Sequence, residues 1–216
     1  MDTEFDALNA WVLPLAGRSI VRPYDRIRRY CGLRWSGGGP ETWAYRYYDA
    51  ITTPADEVVP VDVVATAALH PGISRSDLGW FHDHTSDLND WLRGIPTGED
   101  EARLARADAG LLDHLALLVD LPDVPSIALL SKVLHRKRPD LIPLIDRHIV
   151  DWYRPVTGER SAKLAWRPFL GAMQQDLTLE TLIFLTSFAR SLELEGCRRL
   201  SHLRLIDIAV WMEGNE

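Results

Sequence analysis

Apolar side chains recur along this chain at intervals of three and four, the spacing of one helix face. The clearest case is Leu104, Leu111, Leu112, Leu115 and Leu118, at i, i+7, i+8, i+11 and i+14, which predicts one amphipathic helix with a single buried stripe. A helical patch over Pro23–Tyr30 stops at Gly32, and Ser36 with three glycines forms a loop closed by Pro40. A helix over residues 40 to about 50 should follow, because proline suits a first helical turn. The run Val-Asp-Val-Val-Ala-Thr-Ala-Ala-Leu at 61–69 is ambiguous in period, since β-branched residues favour a strand while its alanines and Pro60 favour a helix. Helix is the expectation there. Ser74 or Ser76 caps a further helix reaching Trp91 and Leu92, with a glycine- and proline-rich break at 94–98. Two long helices, Leu179–Leu194 and 198–212, are parted by Gly196, the second placing Leu200, Leu203, Ile206 and Val210 on one side. Clean alternation is absent and no repeat is present, so the expected fold is all-α: one irregular helical domain over 1–216, with 1–58 as an N-terminal extension carrying the glycine-rich loop and 60–216 as the helical core.

The most informative stretch is 121–149, which implies two helices. Asp123 can cap the first, with Pro125 near its first turn, and Arg136, Lys137 and Arg138 complement the negative end of its dipole. Pro139 ends it. Pro143 can begin the second, placing Asp146 in the opening turn, where the positive end of the dipole stabilises a carboxylate. Lys132, His135 and Arg136 stand at i, i+3 and i+4 and share a face. From Lys132 to His148 there are five positive charges (Lys132, Arg136, Lys137, Arg138, Arg147) against Asp140 and Asp146, a local excess of cation. It is either an ordinary solvated helix end or an anion-holding face.

The pattern Leu121-Pro122-Asp123-Val124-Pro125, a helix, then Ile142-Pro143-Leu144-Ile145-Asp146-Arg147-His148-Ile149 resembles the helix-hairpin-helix segment of base-excision DNA glycosylases, in which Leu-Pro-Gly-Val-Gly precedes a helix and Val-Asp-Thr-His-Val follows it. The resemblance implies that Asp146 is the catalytic carboxylate that stabilises an oxocarbenium-like sugar, in a segment that grips a nucleic-acid backbone. The segment is degenerate. Asp123 and Pro125 replace the two hairpin glycines, and Ile127 stands where bifunctional members carry their lysine nucleophile, so Schiff-base chemistry at that position is not expected. Over most of its length the chain is similar to an uncharacterised bacterial family, on Asp-Val-Val-Ala at 62–65, Ser131-Lys132 through Pro143, and a Leu-Arg-x-x-Asp-x-x-x-Trp-Met ending at 203–212.

Composition narrows the partners. The formal net charge of -7 disfavours a dedicated DNA coat protein, though not a local basic site. Arginine outnumbers lysine, which occurs only at 132, 137 and 163, and a GC-rich genome accounts for that. Cys31 and Cys197 are far apart in sequence and form no Cys/His cluster, so neither a disulfide framework nor structural zinc is expected and a reducing compartment fits. A basic leader and a membrane-length apolar run are both missing, which makes a cytoplasmic protein with no membrane partner the expectation.

Other sites weigh less. His82 and His84 stand at i, i+2 and diverge on a helix, so no metal is expected, and no cofactor motif is present. His114 and His202 are expected on helix surfaces. Asp207, on an apolar face of the last helix, should pair with an internal arginine such as Arg204 or Arg147. Three functions remain open. One is an N-glycosidic hydrolase acting through Asp146, with Lys132, His135, Arg136, Arg138 and Arg147 holding a nucleotide or nucleic acid. Another is a non-catalytic nucleic-acid- or anion-binding module, and the third is a protein-interaction domain built on exposed tryptophans.

Overall fold

A computed structural model of the chain describes residues 2–33, 44–95, 97–98, 100–124 and 126–215, with side chains described from residue 6 onward. Among these residues lie ten α-helices and one β-hairpin, so the fold is mainly helical. The glycine-rich loop at 36–39, the helix start at Pro40, Trp43 and Pro125 lie outside them.

Helix α1 (Asp2–Ala10) leads into strands β1 (Val12–Leu15) and β2 (Arg18–Val21), an antiparallel pair in which Leu13 faces Ile20 and Leu15 faces Arg18. The two-residue connection is left-handed at both Ala16 (φ 52°) and Gly17 (φ 70°), the combination that matches the twist of a tight hairpin. Leu13, Leu15 and Ile20 are fully buried, and the indole of Trp152 donates to the Leu15 carbonyl (3.2 Å). This hairpin is the one sheet among the described residues of an otherwise helical fold, in keeping with the all-α expectation.

Helix α2 (Pro23–Tyr30) starts at its proline, as expected, and a π-helical turn at Tyr45–Asp49 is the described part of the helix expected over 40–50. The ambiguous run is helical, as α3 (Pro60–Thr66), and Ser74 caps α4 (Arg75–Arg93) through the Asp77 amide (3.1 Å).

The leucine stripe from 104 to 118 is not one helix. Asp108 takes the Leu111 amide on its side chain (2.8 Å) and starts α5 (Ala109–Ala116), while Leu104 belongs to the turns before it, its amide donating to the Asp140 carbonyl (3.1 Å). Leu104, Leu115 and Leu118 are nonetheless all buried. An N-cap can satisfy amides mid-stripe at little cost, so apolar spacing alone does not locate the helix start.

Helices α6 (Ile127–His135), α7 (Arg147–Thr157), α8 (Ala162–Asp176), α9 (Leu179–Leu194) and α10 (His202–Glu213) complete the chain. The last was expected to dock one side onto the core. Instead every residue from His202 to Val210 is buried, with α2, α7, α9 and β2 packed around it. Helix α6 is the second interior helix, buried from Leu129 to His135 and packed on α3 and α8. Residues of the 1–58 segment, including Leu13, Ile20, Tyr24 and Ile27, belong to the same continuous apolar core.

Candidate functional site

Asp146 is the N-cap of α7, with Oδ1 accepting the amides of His148 (2.9 Å) and Ile149 (3.1 Å). The helix begins at Arg147 rather than at Pro143, since a cap must itself lie outside helical geometry. Two contacts within the α6–α7 connection fix where Asp146 stands: the Ile145 amide donates to Ser131 Oγ (3.2 Å), and the His135 ring Nδ1 meets the Ile142 carbonyl at 2.7 Å. The connection is thereby laid along α6, and Asp146 Oδ2 comes to 3.8 Å from the ammonium of Lys132. Sequence reasoning put these two residues on separate helices without showing that they meet.

Lys132 is a buried cation whose nearest acceptor is the Leu69 carbonyl, at 3.4 Å. Burial holds its pKa below the usual lysine value, with Asp146 pulling the other way. Asp146 keeps 21 % of its side chain exposed, so this carboxylate, unlike Lys132 at 3 %, is reachable from solvent. His70, half-buried, feels both charges. Its pKa is lowered by burial first and by Lys132 second. Further in, the Asp207 carboxyl is pushed up to about 6 by burial, with Arg204 opposing and Asp146 adding to the rise. His70 carried no sequence signal because nothing in its neighbourhood is periodic or motif-like.

The rest of the basic segment does something other than face solvent. Arg136 closes the C-terminal end of α6, with Nε 3.0 Å from Asp62 Oδ1 and the guanidinium donating to the carbonyls of Tyr48 and Ile51. Lys137 is bound to Asp62, to Thr53 Oγ1 (3.0 Å) and to the Pro54 carbonyl (2.8 Å). Arg138 donates to the carbonyls of Leu92, Ile95 and Ala55. His135 is fully buried and its pKa is lowered to about 3, chiefly by that burial. A phosphate-holding role for His135, Arg136 and Arg138 therefore gives way to a structural one: His135 holds the connection at Ile142, and Arg136 and Arg138 tie segments 48–55 and 92–95 to α6. Arg147 has 92 % of its side chain exposed and stands 3.8 Å from Asp151. Asp123 is not the cap of α6. Ser126 holds that position, and Asp123 sits in the left-handed region at φ 50°.

A second ionic centre lies on α10. Arg204 binds Asp49 and Asp207 and reaches the Tyr30 hydroxyl, so the internal pairing expected for Asp207 is present. His202, expected on a surface, is buried, 3.2 Å from Thr186 Oγ1 and 3.5 Å from Glu101.

Two cavities flank the end of α6. One, of about 380 Å3, is lined by Arg103, Lys137, Arg138 and Asp140, and the other, of about 170 Å3, by Arg136, His135, Asp49, Arg199 and Arg204. Neither is lined by Lys132 or Asp146. Among the described residues no three His, Cys, Asp or Glu side chains gather as a metal site, and no helix is long and apolar enough to cross a membrane. The described tryptophans are buried (Trp80, Trp152, Trp166) or half-buried (Trp11, Trp91, Trp211).

The sequence pattern of a family of unknown function, DUF6308, matches residues 23–214. No curated protein and no solved structure matches the chain.

Proposed function

We propose that this chain, which belongs to the DUF6308 family of unknown function, hydrolyses an N-glycosidic bond in a nucleotide or nucleic acid with Asp146 as the catalytic carboxylate. The observation that carries the reading is the placement of Asp146: one oxygen is fixed by two amides at a helix N-terminus and the other faces the Lys132 ammonium at 3.8 Å. A carboxylate held in direction in this way can stabilise the positive charge that develops on a sugar as its bond to the base lengthens. The left-handed backbone at Asp123, where the glycosylase pattern has its first hairpin glycine, supports the same reading. With Arg136 and Arg138 turned inward and Lys132 buried behind Asp146, phosphate contact falls to Arg147. A small ligand suits this arrangement better than duplex DNA, given the net charge of -7. The setting is cytoplasmic in this reading.

The test is release of free base from nucleosides, nucleotides and short oligonucleotides, followed chromatographically. Wild-type protein should release base from at least one of them, and Asp146→Asn should slow that release by about 100-fold or more. Equal rates for the two proteins, or no release from any substrate, would remove Asp146 from the chemistry.

A non-catalytic anion-binding module is the second reading, and the larger cavity favours it, because the Arg103 side chain lines it. Equilibrium dialysis against a nucleotide at two salt concentrations separates the readings: binding that weakens with salt, without turnover, belongs to the module.

A further inference from the structure

The two cysteines, at opposite ends of the chain, meet. Cys31 caps the end of α2 and is buried in the core, while Cys197 is half-buried just after α9, beyond the left-handed Gly196. Geometry brings their segments together: Arg28, one turn before Cys31, bonds the Glu195 carboxylate through Nε at 3.0 Å, and the Tyr24 hydroxyl donates to the same carboxylate at 2.8 Å. On the other side the Tyr45 hydroxyl accepts the Arg198 amide at 2.9 Å, next to Cys197, so that Tyr45 and Cys31 both act on the Cys197 thiol.

We propose that Cys197 and Cys31 form a peroxide-responsive dithiol, in which Cys197 is the sulfur attacked first and Cys31 the one that resolves it. In the first step the Cys197 thiolate attacks one oxygen of a hydroperoxide. The S–O bond forms as the O–O bond breaks, leaving a sulfenic acid and releasing hydroxide or an alkoxide that takes up a proton. In the second, the Cys31 sulfur attacks the sulfenic sulfur, the S–O bond breaks, and the Cys31 proton leaves with the hydroxyl as water. The two sulfurs lose two electrons in all, and the hydroperoxide accepts them.

The surroundings divide the roles. The thiol of Cys197 is brought down to about 7, first by the Cys31 hydrogen bond and then by Tyr45, against burial and the nearby Glu195, with Arg28 helping. Cys31 is raised, by that same bond and by burial, with Asp49 adding to the effect and Arg204 opposing it. A low-pKa, partly exposed thiol beside a buried partner is the arrangement that reacts with peroxide and then closes to a disulfide. Closure would fasten the end of α2 to the α9–α10 connection.

The experiment treats the fully reduced protein with hydrogen peroxide and maps its thiols by peptide mass spectrometry. The expected product is an intramolecular Cys31–Cys197 disulfide, with iodoacetamide capturing Cys197 about tenfold faster than Cys31 at neutral pH before oxidation. Cys31→Ser should halt the sequence at a sulfenic acid on Cys197 that dimedone traps, and Tyr45→Phe should move the pH profile of Cys197 alkylation upward. Selective alkylation of Cys197 in wild-type protein, which avoids any folding defect of a variant, should abolish disulfide formation. Both thiols still free after oxidation, disulfides only between molecules, or Cys31 reacting first would overturn the proposal.

Discussion

Arg204 grips Asp49 with two parallel hydrogen bonds, Nε to Oδ1 at 2.7 Å and a terminal nitrogen to Oδ2 at 2.9 Å, in the interior of the molecule. A guanidinium and a carboxylate matched in this way are fixed in direction as well as distance, so α10 and the Tyr45–Asp49 turn are held in one relative position. The same guanidinium binds Asp207, and its removal would leave two buried carboxylates without their cation. Arg204→Met should therefore destabilise the protein by about 3–5 kcal/mol, read as a fall in urea midpoint at unchanged slope. A loss below about 1 kcal/mol would mean that the apolar replacement packs as well as the ion pair it removes.

Asp140 gives a pH signature. Its carboxyl is pushed up to about 6 by burial, Glu101 and Asp100, against Arg199 and Arg103. An acid whose folded pKa exceeds its unfolded value holds a proton that the unfolded chain has released, so its contribution to stability is greatest at low pH and is lost as pH rises through about 6. Asp140→Asn should gain on wild type between about pH 4 and pH 6, by on the order of 2 kcal/mol in urea unfolding. A constant difference across that range would show that Asp140 ionises as freely in the folded protein as outside it.

His135 should behave in the opposite sense. Its folded pKa, lowered to about 3, leaves the ring neutral where the unfolded chain would charge it, so the stability it contributes is present above about 6.5 and declines as pH falls toward 3. The contact with the Ile142 carbonyl requires the proton on Nδ1. Long-range nitrogen–proton NMR should show that tautomer, with no titration from about pH 5 to 8. A ring that titrates near its ordinary value would mean that water reaches it.

For Asp146 the two roles, cap and anion, separate by substitution. Asparagine caps a helix about as well as aspartate but carries no charge, whereas alanine loses both functions. Asp146→Ala should melt below Asp146→Asn by the equivalent of about 1 kcal/mol, while the two should be equally defective in base release. An alanine variant as stable as the asparagine one would show that the bonds to the His148 and Ile149 amides contribute nothing to α7.

The parts of the fold legible in sequence are those with local causes. Pro23 starts α2, Ser74 caps α4, and the run at 179–194 ends one residue before the Glu195–Gly196 turn, each set by residues within a turn of the boundary. The hairpin was hidden because strands of four residues, one carrying Pro14, are too short to establish an alternation. Asp146 was legible as a carboxylate near a helix start, because a helix dipole is local too, but its place as the cap itself was not. The inward turn of Arg136, Lys137 and Arg138 was not, since their acceptors are mostly carbonyls at 48–55 and 92–95 that any sequence would supply. Spacing cannot distinguish a solvated arginine from one that fastens a distant loop. The meeting of Cys31 with Cys197 depends likewise on how α2 and α9 come together around the core.

The bond between Arg204 and Asp49 spans 155 positions, and α2 packs against α10 near the other end of the chain. During synthesis the hairpin, α2 and the Tyr45–Asp49 turn emerge long before the helix that covers them. Their apolar faces and an uncompensated Asp49 must wait through most of translation, a period in which contacts of such long sequence separation are slow to close and exposed surface invites association. Helix α10, made well after the hairpin and α2, is thus the axis around which those earlier elements settle, and a nascent chain stopped short of it is a form much in need of a chaperone.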